Sequence, residues 1–274
     1  MIEALSYDFM QHALAAGILA GIACGIIGSL VVVNRLVFLS GGIAHTAYGG
    51  VGLAFFMGWP VLPCTIGFTL SASLIMAVIT QRLPERVDTI IGVMWAAGMA
   101  FGIILLDITP GYNVDLMSFL FGSILAVPAS DLWIMLGLDI IILCVVLLFY
   151  KDFLAMSFDR DFARARGVPV MILNIVLLAM TAVSVVMIIR VVGLILVIAL
   201  LTIPPYLAER HVSSLGKMMV AAALWSILFC CIGLYISYQF NITSGASIIA
   251  CASVCFFGVF MYETIAKRLL NARQ

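Results

Sequence analysis

The chain has 274 residues, of which 65% are hydrophobic and only 9% charged, and its 13 basic and 13 acidic residues cancel. A soluble domain carries roughly 25% charged residues, so a chain with a mean hydropathy of +1.27 cannot cover a water-facing surface and reads as a polytopic membrane protein. The zero net charge excludes a nucleic-acid partner. The seven cysteines, none in a CxxC pair, read as small packing residues.

The opening "MIEALSYDFMQ" is acidic and shows no cleavable signal. The first uncharged apolar run, Ala13–Val33, carries Gly17, Gly21, Gly25 and Ser29 at four-residue spacing, a face that permits close helix packing. The second, Val37–Met57, contains "SGGIAHTAYGG", with a similar face at Gly42, Thr46 and Gly50, and the two small faces can pack on each other. His45 lies about nine residues into this run, roughly 13 Å of helical rise and close to mid-membrane. At that depth an imidazole either binds a metal or makes one structural hydrogen bond. Tyr48, one turn on, is either a neighbour in the same path or packing.

Runs three and four, Val61–Thr80 and Thr89–Leu106, lead to "ITPGYNV", flanked by Asp107 and Asp115. Those acids are either solvated or receive a cation at the outer mouth. Asp115–Ser130 is apolar but short, and Gly122 and Pro128 interrupt it, so it reads as a re-entrant or interfacial helix. Leu132–Tyr150 holds Asp139, about 12 Å deep, where a lone carboxylate costs roughly 2.5–3.5 kcal/mol. It is either a metal way-station or a structural partner of a hydroxyl or of Arg190. The remaining runs are Pro169–Ile189, Val191–Ala208, Met218–Ser237 and Ser244–Tyr262. Pro204 and Pro205 break a helix and free backbone carbonyls, as a hinge or as a packing kink.

The fold class is therefore all-α, a single transmembrane domain over residues 1–274 with about nine spans, eight if one weak segment fails to cross. With nine spans and the N-terminus outside, 12 of the 13 basic residues fall in inner loops and only Arg190 faces out. The longest hydrophilic stretch, Lys151–Gly167, is a short loop, so the chain has no nucleotide-binding fold of its own.

Within that loop, "FDRDFARARGVPV" reads as a short helix on the cytoplasmic face. Asp159 or Asp161 can cap its start, Gly167 can end it in a left-handed conformation, and Pro169 follows. Ala163 is small, as a seat for a partner requires. The loop is either this handle or a mere connector.

This loop resembles the coupling helix of ABC import permeases, which docks in a groove of the ATPase subunit. "FLSGGIAHTAYGGVGLA", "VDTIIGVMWA", "LMSFLFGSILAVPASDLW", "VGLILVIALLTIPPYLAE" and "SGASIIACASVCFF" resemble successive blocks of the ABC-3 permease family. The resemblance implies the fold of the cobalamin and siderophore permeases. It also implies the membrane subunit of a zinc, manganese or iron importer in a prokaryotic cytoplasmic (inner) membrane. Two copies would enclose a path lined by His45, Tyr48 and Asp139. A metal-binding protein docks outside. Two ATPase subunits, which bind the ATP, grip a coupling segment comprising Phe158, Asp159, Asp161, Phe162, Ala163, Ala165 and Gly167. The chain itself performs no covalent chemistry and keeps no permanent cofactor; the metal is cargo.

Many family members read Gly-Asp-Ala-Leu-Ser-His where this chain has Ser40, Gly41, Gly42, Ile43, Ala44 and His45. The acid is missing at Gly41 and the hydroxyl at Ala44 while the histidine remains, which makes the site less anionic and mildly favours Zn2+, since imidazole suits zinc better than manganese. An ion-gradient-driven secondary transporter and an ABC permease for a metal chelate are the alternatives. The former usually shows internal repeats and several intramembrane acids, and neither is seen.

Overall fold

The structure, a computed structural model, describes residues 7–82, 84–110 and 124–271. Among these the chain forms eleven α-helices and two single 3-10 turns, Pro84–Arg86 and Ile124–Ala126. The helices are α1 (Asp8–Val33), α2 (Val37–Met57), α3 (Val61–Arg82), α4 (Val87–Asp107), α5 (Ala129–Leu148), α6 (Tyr150–Phe158), α7 (Arg160–Ala165), α8 (Val170–Val192), α9 (Leu194–Glu209), α10 (Leu215–Phe240) and α11 (Ser244–Asn271).

Each apolar run becomes a helix because hydrocarbon leaves a backbone no water to bond. Many buried hydroxyls are closed onto their own helix for the same reason. Ser29 donates to the Gly25 carbonyl, Thr46 to that of Ile43 and Thr181 to that of Leu177. Seven helices (α1, α3, α4, α5, α8, α10 and α11) are long and apolar enough to cross a membrane. The expectation of nine spans is met to that extent only. The two apolar helices that fall short are α9, with 16 residues, and α2, which His45, Thr46, Tyr48 and its glycines make less apolar. α2 is wrapped by protein along most of Leu39–Ala54, so lipid does not set its composition.

The bundle has two packed groups. α1 lies against α10, α9 and α5, and α2 lies against α4, α3 and α8. The small face of α1 therefore does not meet the small face of α2. It meets α10: a Cβ added at Gly25 would come 2.5 Å from Ala223 Cα, and one at Gly17 would come 3.1 Å from Cys230 Cβ. Spacing announces close approach but does not name the partner.

Lys151–Gly167 is not a plain loop. α6 follows directly on α5, with Phe153 and Met156 fully buried beneath it. α6 is tied at both ends. The Tyr150 hydroxyl accepts from the Gly216 N–H at 2.9 Å. Ser157 Oγ accepts from Asn34 Nδ2 at 2.9 Å, and the same amide group caps the Leu30 carbonyl. Asn34 is followed by Arg35 in the left-handed region at φ 58°, a tight turn that launches α2. Nearby, Arg210 pairs with Glu263 and lies over the Tyr206 ring. Segments assigned to inner loops thus meet at one end of the bundle. The expected re-entrant piece lies mostly outside the described residues. Its last part is the Ile124–Ala126 turn, where Ile124 is buried and approaches Gly17 of α1.

Candidate functional site

The site is built on the α2–α4 seam. Gly98 and Gly102 of α4 let the two backbones touch. A Cβ at Gly98 would sit 2.9 Å from Thr46 Cα, and one at Gly102 would sit 2.5 Å from the Tyr48 carbonyl carbon. One residue either side of this contact line, larger side chains of the two helices meet. His45, partly exposed, stacks on Trp95 with ring centroids 3.8 Å apart and 19° between planes. Its Nδ1 lies 3.1 Å from Met99 Sδ. Phe38 also meets Trp95, with ring centroids 6.1 Å apart and the planes tilted by 48°. One turn before His45, a side chain at Gly41 would meet only Ile198 Cδ1, at 3.8 Å. That is an ordinary van der Waals contact, so the buried Gly41 position tolerates a small side chain.

The other path candidates lie elsewhere. Tyr48 is buried, and with Val51, Leu62, Val186 and Ile189 it lines a void of about 10 Å³, which holds at most one water. Asp139 is on α5, which packs on α1 and not in the α2–α4 seam. It is 7% exposed, and its Oδ2 has no hydrogen-bond partner among the described residues. The side chain of Arg190, its expected partner, lies outside the described residues. Among these residues no three His, Cys, Asp or Glu side chains converge as a metal cage would require. Asp107 ends α4 and is exposed; Asp115 lies outside the described residues. A cavity of about 750 Å³ opens between α3 and α4 and is lined by Trp59, Phe68, Ile75 and Phe101 among others. It holds no acid, base or imidazole, so it suits hydrocarbon and not an ion.

In the Lys151–Gly167 segment the capping expectation is met by Asp159. Its carboxylate accepts from the Asp161 and Phe162 N–H groups at 2.9 and 3.0 Å. Asp161 instead pairs with Arg164 at 3.1 Å on the surface. Gly167 ends α7 at φ 79°, with its N–H on the Arg164 carbonyl and that of Val168 on the Ala163 carbonyl, a Schellman ending. Ala163 requires a correction. It is fully buried in the chain's own core, so its small side chain seats α7 on the bundle and offers no surface to a partner. The exposed groups are Phe158 (85%) and Phe162 (55%), together with Ala165 and Gly167.

Pro204 and Pro205 lie inside α9, which continues through them. Proline has no N–H, so the Leu200 and Leu201 carbonyls lose their helical donors. Gly28 of α1 backs onto this spot: its added Cβ would be 2.6 Å from the Leu201 oxygen and 2.9 Å from Pro205 Cγ. Sequence reasoning missed Trp95, Met99 and Asn34. "WAAGMAFG" does carry two offset four-residue spacings, Trp95/Met99 and Gly98/Gly102, which mark a seam with a ring and a sulfur on its rim.

A model of the ABC 3 transport family matches residues 6–263. An uncharacterised membrane protein of Synechocystis is 49% identical over 256 residues, 93% of this chain and 91% of the relative. The manganese transport system membrane protein MntC of Listeria monocytogenes is 35% identical over 258 residues, 94% and 92% of the two chains. The solved PsaBC of Streptococcus pneumoniae, in complex with Fab, superposes with a TM-score of 0.85 at 32% identity, covering 94% of each chain. An inward-facing putative metal-chelate type ABC transporter gives 0.71 at 17% identity over 93% and 86%, a likeness of fold alone.

Proposed function

The chain belongs to the ABC 3 transport family, and from that premise we propose that it is the membrane subunit of an ATP-driven importer of divalent transition-metal ions, with manganese the first cargo. ATP hydrolysis lies with a separate subunit, and the chain is a transport component of a bacterial inner membrane. The observation that carries the reading is His45, a partly exposed imidazole near mid-membrane, held on the α2–α4 seam by Trp95 and Met99. Manganese stands ahead of zinc because relatives at 35% and 32% identity are named for it. The zinc expectation rested on the missing acid at Gly41, the missing hydroxyl at Ala44 and the preference of an imidazole for zinc.

In this reading two copies enclose the path, and each supplies one His45. Asp107 and Asp115 sit at the outer mouth, where a metal-binding protein docks. The ATPase grips the junction of α6 and α7 through Phe158 and Phe162. The whole chain is one domain, and α2 and α9 cross as well, making nine spans. The meeting of Asn34, Ser157, Tyr150, Gly216, Arg210 and Glu263 at one end supports that count, since α2 leaves that end and α9 returns to it.

The test is uptake of Mn2+, Zn2+ and Fe2+, ion by ion, in vesicles containing the chain, its ATPase and its binding protein. ATP-dependent Mn2+ uptake that His45→Ala abolishes is expected. Uptake driven by an ion gradient without ATP would replace this reading with a secondary transporter. Uptake of only chelated metal would replace it with a chelate permease.

A further inference from the structure

The contact between His45 and Met99 fixes which atom of the imidazole is available to a metal. A thioether sulfur has lone pairs and no proton, so in any hydrogen bond it is the acceptor. At 3.1 Å from Met99 Sδ, Nδ1 makes a hydrogen bond only as the protonated nitrogen, because a bare Nδ1 would set lone pair against lone pair. The neutral ring then carries its free lone pair on Nε2. Trp95, stacked at 3.8 Å and 19°, hinders the ring from turning over, which would put Cδ2 in place of Nδ1 against the sulfur.

We propose that Met99 and Trp95 are positioning residues that hold His45 as the Nδ1–H tautomer, so that Nε2 is the atom a passing divalent cation meets. The idea rests on the transit role of His45 put forward above and assigns the atom and its support. Histidines that bind metals are generally oriented by a hydrogen bond from the other ring nitrogen, most often to a carboxylate or a carbonyl. Here the supporting acceptor is a sulfur, a weak one. A weak acceptor orients the ring without adding a second charge to a site that already lacks an acid at Gly41. It therefore suits an ion that must leave again.

The experiment uses the complex of chain, ATPase and binding protein in lipid, with 15N-labelled histidine. The chain has three histidines, His12, His45 and His211, and His45→Gln assigns the His45 signals. Ring 15N resonances distinguish a protonated nitrogen from one with a lone pair. In the natural chain Nδ1 of His45 should be protonated. Met99→Leu, which keeps the bulk and removes the acceptor, should shift the ring towards the Nε2–H tautomer. It should also raise KM for Mn2+ about tenfold with kcat nearly unchanged, the scale of losing a supporting partner. Met99→Gln supplies an amide oxygen in the same place and should restore both. An unchanged tautomer in Met99→Leu overturns the proposal, as does equal impairment of the Leu and Gln variants, which is what a packing role produces. Normal uptake by His45→Ala removes the parent reading and with it anything to position. The tautomer signals, read without metal, distinguish that failure from one confined to Met99.

Discussion

Gly102→Ala tests the seam on which the site depends. The added Cβ would lie 2.5 Å from the Tyr48 carbonyl carbon and 2.9 Å from the Gly49 nitrogen, whereas ordinary contact begins at 3.4 Å. These are backbone atoms of a helix and cannot swing aside, so α2 and α4 must part by about 0.9 Å, an overpacking that costs about 1–3 kcal/mol. For a domain of this size that is a fall in Tm of roughly 2–10 °C, read by thermal unfolding in detergent. The same parting stretches the 3.1 Å contact from His45 to Met99 to about 4 Å, beyond a useful hydrogen bond, so Mn2+ uptake should fall as well. Gly137 and Gly258 are the controls, because a Cβ there meets nothing within 4 Å. Alanine at either should stabilise its helix by about 0.5–1 kcal/mol. If Gly102→Ala unfolds at the same temperature as Gly137→Ala, the close seam does not exist and the reasoning fails.

Asn34→Ala removes the bonds to Leu30 and Ser157, about 1 kcal/mol each; ATP hydrolysis in the complex should persist while uptake per ATP falls, and unchanged coupling would show that the tie carries nothing. Ala163→Trp should lower the chain's own Tm, since Ala163 is buried in its core, whereas Phe158→Ala and Phe162→Ala should spare Tm and weaken co-purification with the ATPase. The opposite pattern would return Ala163 to the partner surface. Gly167→Ala forces a side chain into φ 79°, which costs about 1–2 kcal/mol, and α7 should lose protection in hydrogen exchange. For topology, a single cysteine replacing Asp107 should label with an impermeant thiol reagent in intact cells and one replacing Arg164 should not. Labelling of the latter from outside would invert the whole arrangement.

The spans were legible because hydrocarbon tolerates few backbone solutions, so uncharged runs such as Val61–Thr80 and Val170–Ile189 mark helices directly. The α7 caps were legible too, because Asp159 and Gly167 act within a few residues of themselves. α6 was not, since "YKDFLAMSF" looks polar enough for a loop until Phe153 and Met156 are seen to be buried. His45 could be singled out as an imidazole in an apolar run, but its partners on α4 could not. A helix apolar nearly all round has no marked face, so sequence does not set its rotation. The same gap misassigned the small face of α1, whose partner is α10.

The backbone contact along Thr46–Gly98 and Tyr48–Gly102 also limits how the protein can move. Helices that meet through long side chains can exchange rotamers and slide past each other. Bare backbones in contact have no such slack, and prising them apart would break the hold of Trp95 and Met99 on the imidazole at the same moment. In the proposed importer α2 and α4 would therefore travel as one strut, carrying an assembled half-site with them. Access to the imidazole would alternate by shifts of the strut's neighbours around it, while the hold on the ring kept its shape from one side of the membrane to the other.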